Sequence, residues 1–317
     1  MGRAMAAATV AVTGATGFVG LTLCAALVAR GRPVRALVRS PARAASLPAR
    51  VHTVTGDLDD ERALAALLDG AGAVVHVAGL VAARKPEAFH RVNVGGTERL
   101  LAAVGQVAPA PRVLLVSSLA ARRPELSAYA ASKRAGEAAV AAAGTEHCIV
   151  RPPAVYGPGD RATLPLFRQL SRGLIVVPRV KNGRFSLLHV DDLTRLVCVL
   201  LDTPGWAGEV LEPDDGRAGG YAWPDLADVA GAVLGRTVRC IEVPRAVVWC
   251  AAVAHEAGGA VRGRAPMLSR GKIGELCYPD WVCSSESMRH VQGWAPEVDF
   301  AEGFRRTLAW YRDQRWI

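Results

Sequence analysis

The chain has 317 residues, 51% hydrophobic and 21% charged, with a formal net charge of +9 at pH 7. That length and apolar content exclude a disordered chain and predict one large folded domain or two smaller ones. The excess charge is arginine spread along the whole sequence, with no basic stripe interleaved with aromatics, which argues against nucleic acid as a partner.

Residues 9–12 read as a strand and 18–30 as a helix closed by Gly31. Strands follow over 34–38 and 51–55, then a helix with an acidic first turn over 59–68 and a strand over 73–77. A long helix is predicted over 86–104, a buried strand over 112–117, a helix around Tyr129 and a strand over 147–151. Continuous apolar strands separated by helices predict a parallel sheet covered on both faces, the doubly wound α/β Rossmann arrangement.

After Arg151 the pattern breaks up, with frequent Pro, Gly and Arg and two late strands over 185–188 and 208–211. The predicted division is a nucleotide-binding domain over 1–151 plus about 185–212. A smaller, irregular substrate domain takes about 152–184 and 213–317.

Seven cysteines, an odd number without a C-x-x-C pair, predict buried free thiols in a reducing compartment and no metal site. The N-terminal apolar run leads straight into the first strand and does not read as a signal peptide. No uninterrupted apolar stretch reaches the ~18 residues of a membrane span. The expected location is the cytoplasm, with peripheral membrane association as the alternative.

Between the first strand and first helix lies Thr13-Gly14-Ala15-Thr16-Gly17-Phe18-Val19-Gly20. Gly14 suits a turn of unusual backbone conformation, Gly17 a close approach to a pyrophosphate and Gly20 a tight helix–sheet contact. The helix start then offers its free N–H groups to phosphates, so the stretch predicts dinucleotide binding.

The end of the second strand reads Val38-Arg39-Ser40-Pro41-Ala42-Arg43, with no carboxylate to receive a ribose 2′-hydroxyl. Arg39, with Ser40 and Arg43 as further donors, suits a 2′-phosphate, so NADPH is the expected cofactor. Asp57 and Leu58 are placed to meet the adenine, and Val77, Ala78 and Gly79 to line the path to the nicotinamide.

Ser117 and Ser118 end the strand over 112–117, at the sheet edge where ligands bind in such folds. Tyr129 follows eleven residues after Ser118 and Lys133 four later, on one helix face. A neighbouring ammonium is expected to lower the Tyr129 pKa, making the phenol an acid–base group. Lysine is chosen here by a chain with only four of them (Lys85, Lys133, Lys181, Lys272), which suits a compact donor to a ribose hydroxyl.

TGATGFVG, GDLDD, VVHVAG, NVGGTERLL, VSSLAA, YAASK, RPPAVYGPGD and HVDDL occur in an order and spacing similar to the extended short-chain dehydrogenases/reductases. VRALVRSPAR resembles the dihydroflavonol-reductase-like branch, and the second half also resembles 3β-hydroxysteroid-dehydrogenase-like proteins. Some bacterial relatives there are ceramide reductases. The resemblance implies Tyr129 as acid–base residue, Lys133 as its partner, Ser118 as the substrate-orienting serine and Asn93 as an anchor of the site. It also extends the cofactor contacts to Ser117, Pro152 and Val155. Gly79 stands where many members have alanine, and the short loop between Ser118 and Tyr129 departs from members that take nucleotide sugars.

Residues 243–255 read as a strongly apolar helix starting at Pro244, followed by a Gly- and Arg-rich stretch over 258–268. One reading is an ordinary core helix. The other is a lid or interfacial helix for a lipid-like substrate or membrane surface. His189 reads as a structural histidine, and Tyr156 and Arg161 as candidates for the cleft lining.

The sequence thus predicts an NADPH-dependent reductase of a hydrophobic ketone, acting as monomer or homodimer. A nucleotide-sugar epimerase or dehydratase and a non-catalytic NADPH-binding scaffold are the alternatives.

Overall fold

A computed structural model describes residues 8–261 and 270–317; the Gly- and Arg-rich stretch singled out above lies partly outside them. Strands β1 (Thr9–Thr13), β2 (Val34–Val38), β3 (Val51–Thr55), β4 (Ala71–His76), β5 (Arg112–Val116) and β6 (His147–Val150) join Ala207–Leu211 in one sheet. From edge to edge the order is Ala207–Leu211, β6, β5, β4, β1, β2, β3, and every pairing is parallel.

Alternation along each strand feeds two separate cores. Val10 and Val12 of β1 face a cluster with Leu23, Cys24 and Leu27 of helix α1 (Phe18–Ala29) and Leu193, Leu196 and Val197 of the helix Val190–Asp202. Ala11 between them faces the other side, toward Leu64, Leu67, Leu100 and Val140. Each fully buried leucine stabilises by roughly 1.5–3 kcal/mol, so strands apolar at every position are held from both faces.

Residues predicted as one helix over 86–104 form two α-helical stretches, Pro86–Phe89 and Gly96–Val104, joined by a π-helical turn over His90–Gly95. The turn carries Asn93, whose side chain is used elsewhere, as shown below. π-Turns inside helices commonly mark such positions.

The predicted strand over 185–188 also splits. Arg184–Phe185 pairs with Asp280–Trp281, and Leu187–His189 pairs with Ala154–Tyr156, so neither enters the central sheet. Ser186 marks the break: its hydroxyl donates to Asp214 and accepts from the Cys283 backbone N–H.

A third core is aromatic. Tyr156, Phe167, Phe300, Phe304 and Tyr311 pack with Leu226 among the helices Leu164–Ser171, Trp223–Leu234 and Phe300–Asp313. Leu174–Pro178 and Arg239–Val243 form a two-stranded parallel ribbon beside it. The apolar segment after that ribbon is the helix Arg245–Val261. It buries Val248 and Ala252 and exposes Val247 and Trp249. All seven cysteines are free thiols. Among the described residues no helix is long and apolar enough to cross a membrane.

Candidate active site

The C-terminal ends of β1, β2, β4 and β5 open into one cleft of about 1190 Å³ that continues under the second half of the chain. That exceeds the usual range of small-molecule sites and suits a dinucleotide with a substrate beside it.

The glycine turn forms one wall. Gly14 has φ of +70°, and a Cβ there would lie 2.6 Å from the Ala78 backbone nitrogen, so only glycine fits. A Cβ on Gly20 would lie 2.2 Å from the Gly14 carbonyl oxygen, fixing how closely α1 meets the turn. No side chain caps the start of α1, and Gly17, Phe18 and Val19 there line the cleft. An uncapped twelve-residue helix N-terminus behind a side-chain-free turn fits a dinucleotide pyrophosphate.

Most residues expected at the cofactor also line this cleft: Thr16, Arg39, Arg43, Asp57, Leu58, Val77, Ala78, Gly79, Ser117, Pro152 and Val155. Ser40 does not. It sits in extended backbone ahead of the short helix Pro41–Ala44, away from the lining. Arg39 and Arg43 are exposed, with no carboxylate at the end of β2.

Behind the wall runs a buried polar chain that the motifs did not announce. The Ala78 N–H donates to Thr13 Oγ1 (3.3 Å), whose own proton goes to His76 Nδ1 (2.6 Å). His76 Nε2 meets Thr97 Oγ1 at 3.0 Å, and Thr97 donates on to the Asn93 carbonyl (2.8 Å). With Thr97 committed as donor, His76 carries its proton on Nε2 and accepts at Nδ1. Burial holds it neutral, its pKa down at about 3, and the Lys133 ammonium adds to the effect. The only sequence signal for this role was a histidine inside an otherwise apolar strand.

Asn93 clamps the site from the π-turn. Its Oδ1 accepts from the Leu80 N–H (2.7 Å), while Nδ2 donates to the Leu80 carbonyl (3.1 Å) and to Ser132 Oγ (2.9 Å). The segment after β4 is thereby tied to the helix Ala128–Ala142, which carries Tyr129 and Lys133.

Ser117 and Ser118 part company. Ser117 donates its hydroxyl to Glu137 (2.5 Å), which also receives Arg151 through Nε (2.9 Å) and Nη2 (2.6 Å). Arg151 reaches Glu212 at 3.5 Å, and Glu212 faces Arg122 at 3.5 Å. This buried ion network joins β5, the Tyr129 helix and the segment after β6. Ser118 instead lies beside the Tyr129 phenol and pulls its pKa down, while its own Oγ accepts from the Ala120 N–H (3.2 Å).

Lys133 lies buried and donates from Nζ to the Val116 carbonyl (2.9 Å), which leaves two protons for other acceptors. Burial brings its pKa down to about 8, opposed by Glu137. The expected lowering of the Tyr129 pKa does not occur. Burial pushes the phenol up to about 12, against the pull of Ser118, and the Glu275 carboxylate adds to the rise. Desolvation outweighs the pull of Ser118, so Tyr129 is a neutral phenol at pH 7.

Two cleft residues come from far along the chain. Lys272 stands over the Tyr129 ring, Nζ 5.1 Å from its centroid, and Glu275 accepts a hydrogen bond from Ser127, the N-cap of the Tyr129 helix. Tyr156 and Arg161, expected at the cleft, are not part of its lining. Tyr156 is buried in the aromatic core, and Arg161 stacks on Trp316 at 4.4 Å. His189 is fully buried and caps the helix Val190–Asp202, its Nδ1 accepting from the Asp191 N–H.

Residues 10–211 match the model of the NAD dependent epimerase/dehydratase family. A ceramide reductase of Caulobacter vibrioides (strain NA1000 / CB15N) is 40% identical over 309 residues, covering 97% of this chain and 96% of that protein. A 2-alkyl-3-oxoalkanoate reductase of Stenotrophomonas maltophilia (strain K279a) is 29% identical, covering 94% of this chain and 98% of its own. Among solved structures, MoeE5 in complex with UDP-glucuronic acid and NAD superposes with a TM-score of 0.71 at 23% identity. That match covers 97% of this chain and 99% of the other.

Proposed function

Because this chain belongs to the NAD dependent epimerase/dehydratase family and is an NAD(P)-dependent oxidoreductase, we propose that it uses NADPH to reduce a ketone on a hydrophobic, lipid-like substrate. The observation that carries the reading is that Ser118, Tyr129 and buried Lys133 line one cleft together, at the join of the dinucleotide wall and an apolar region. Trp223, Phe185, Leu276 and Trp281 line the far part of that cleft. Similarity to a ceramide reductase along nearly the whole chain supports a long-chain ketone, such as a 3-oxo-sphingolipid.

NADPH, when bound, supplies the hydride. Ser118 orients the substrate oxygen toward the phenol. Tyr129, protonated at neutral pH, donates its proton as negative charge develops on that oxygen. A developing alkoxide is more basic than a phenolate, so the transfer runs downhill. Lys133 stabilises the phenolate that remains and would hold the nicotinamide ribose with its free protons. Arg39 and Arg43 would take the 2′-phosphate, which favours NADPH over NADH.

The same reading gives the exposed apolar side chains a use. Leu174, Val176 and Ile241 lie on the solvent face of the Leu174–Pro178/Arg239–Val243 ribbon, with Val176 directly opposite Ile241. Val247 and Trp249 are also exposed, on the helix that follows the ribbon, as are Arg239 and Arg245. Val176 also lines the cleft, so this rim would let a lipid pass from a membrane surface into the site.

The test is NADPH oxidation across 3-oxo-lipids, steroid ketones, aryl ketones and nucleotide sugars. Turnover concentrated on the 3-oxo-lipids is the expected result. Turnover of nucleotide sugars alone would replace the reading with that of an epimerase or dehydratase.

A further inference from the structure

We propose that Lys272 is a specificity-determining residue, its ammonium holding an acceptor oxygen of the substrate beside the carbonyl that is reduced. The proposal rests on the ketone-reductase reading above and adds the chemistry of the group next to the ketone. Lys272 ends the turn Arg270–Lys272 and lines the cleft. Its Nζ lies over the ring of Tyr129; among the described residues no acceptor or ion-pair partner reaches it within bonding distance, and the Glu275 carboxylate offsets part of its charge through space. A half-buried ammonium with three unused protons in an apolar cleft carries a cost unless something accepts from it.

The segment that holds Lys272 is pinned against the site. Gly274 approaches the loop before the Tyr129 helix so closely that a Cβ would lie 2.6 Å from the Leu126 carbonyl oxygen. Glu275 is bound by Ser127, and its own backbone carbonyl accepts from Trp281 Nε1 (2.8 Å). These three contacts hold the backbone that carries Lys272 against the loop before the Tyr129 helix.

A carbonyl held by Ser118 and Tyr129 would place its neighbouring substituent under Lys272. An amide carbonyl, ester carbonyl or hydroxyl a few bonds from the ketone would accept from it. Glu275 stands three residues on to receive a donor from the same substituent. The ligand class is thus a long-chain ketone with an oxygen acceptor close to the reacting carbon, in preference to a plain alkanone.

The experiment compares kcat/KM for a long-chain 3-oxo amide and an alkan-3-one of equal chain length, in wild-type protein, Lys272→Met and Lys272→Arg. Wild type should prefer the amide. Lys272→Met should reduce that preference by about tenfold or more, the scale of one hydrogen bond to a charged group, and Lys272→Arg should keep part of it. An equal loss on both ketones, or none on either, overturns the proposal, the first by placing Lys272 on Tyr129 alone. If Lys272→Met turns over neither ketone, binding of the corresponding 3-hydroxy amide to the NADPH-loaded variant, read by cofactor fluorescence, decides. Weakening by about tenfold or more supports the role, and unchanged binding overturns it. Wild-type protein that reduces neither ketone overturns the underlying reading and the role of Lys272 with it.

Discussion

Ser117 donates its hydroxyl to Glu137 at 2.5 Å, inside a buried ion network, while Ser118, one residue on, lines the cleft beside Tyr129. Adjacent serines at one strand end therefore serve different ends. Ser118→Ala is expected to lower kcat by about 100-fold or more, with thermal stability near wild type, because an oriented donor at the reacting oxygen is lost. Ser117→Ala should instead lower the melting temperature, since Glu137 loses a partner in a buried site. Kinetics and thermal melts on the two variants check this, and the reverse pattern would move the orienting role to Ser117.

How much of this was legible in the sequence depended on how local the cause was. The glycine turn, the strand-end serines and the Tyr129/Lys133 spacing are short-range patterns whose geometry follows from one turn or one helix. What ties up Ser117 is Glu137, itself held by Arg151, and no spacing rule connects these residues to it. Asn93 was expected as an anchor, but the π-turn that aims it at Leu80 and Ser132 is hidden in a plain helical pattern. His76 passed as one polar residue in an apolar strand. Lys272 and Glu275 were invisible because a tertiary contact more than 140 residues long brings them to Tyr129. The expected fall in the Tyr129 pKa failed for a related reason: desolvation depends on what covers the ring, including those distant residues.

Arg39 is the exposed cation at the end of β2 where no carboxylate stands. Arg39→Asp should shift the ratio of kcat/KM for NADPH over NADH by about tenfold or more toward NADH, through loss of a charge-assisted contact and repulsion of a 2′-phosphate. Steady-state kinetics with both cofactors measures this. An unchanged ratio removes Arg39 from cofactor selection.

The pH dependence follows from Lys133 rather than Tyr129. Burial puts the ammonium at about 8 and the phenol at about 12. Lys133 is charged below its pKa and neutral above it, so kcat/KM for reduction should fall as pH rises through about 8. The phenol proton is still in place there. A pH–rate profile with an alkaline limb near 8 fits this assignment, and a flat profile to pH 10 contradicts it.

Trp249 and Val247 stand exposed on the helix that follows the apolar ribbon. The double variant Val247→Glu/Trp249→Glu should reduce sedimentation with anionic phosphatidylglycerol vesicles by about fivefold, because it removes apolar contact and adds repulsion. Equal sedimentation of variant and wild type would leave this surface without a lipid role.

The central claim is that Tyr129 delivers the proton in an NADPH-dependent ketone reduction. Its most direct test is NADPH consumption with a 3-oxo-lipid by Tyr129→Phe protein, alongside cofactor binding by fluorescence. The account predicts a loss of turnover of about 1000-fold with NADPH affinity within a few-fold of wild type. Undiminished turnover in the phenylalanine variant would contradict it.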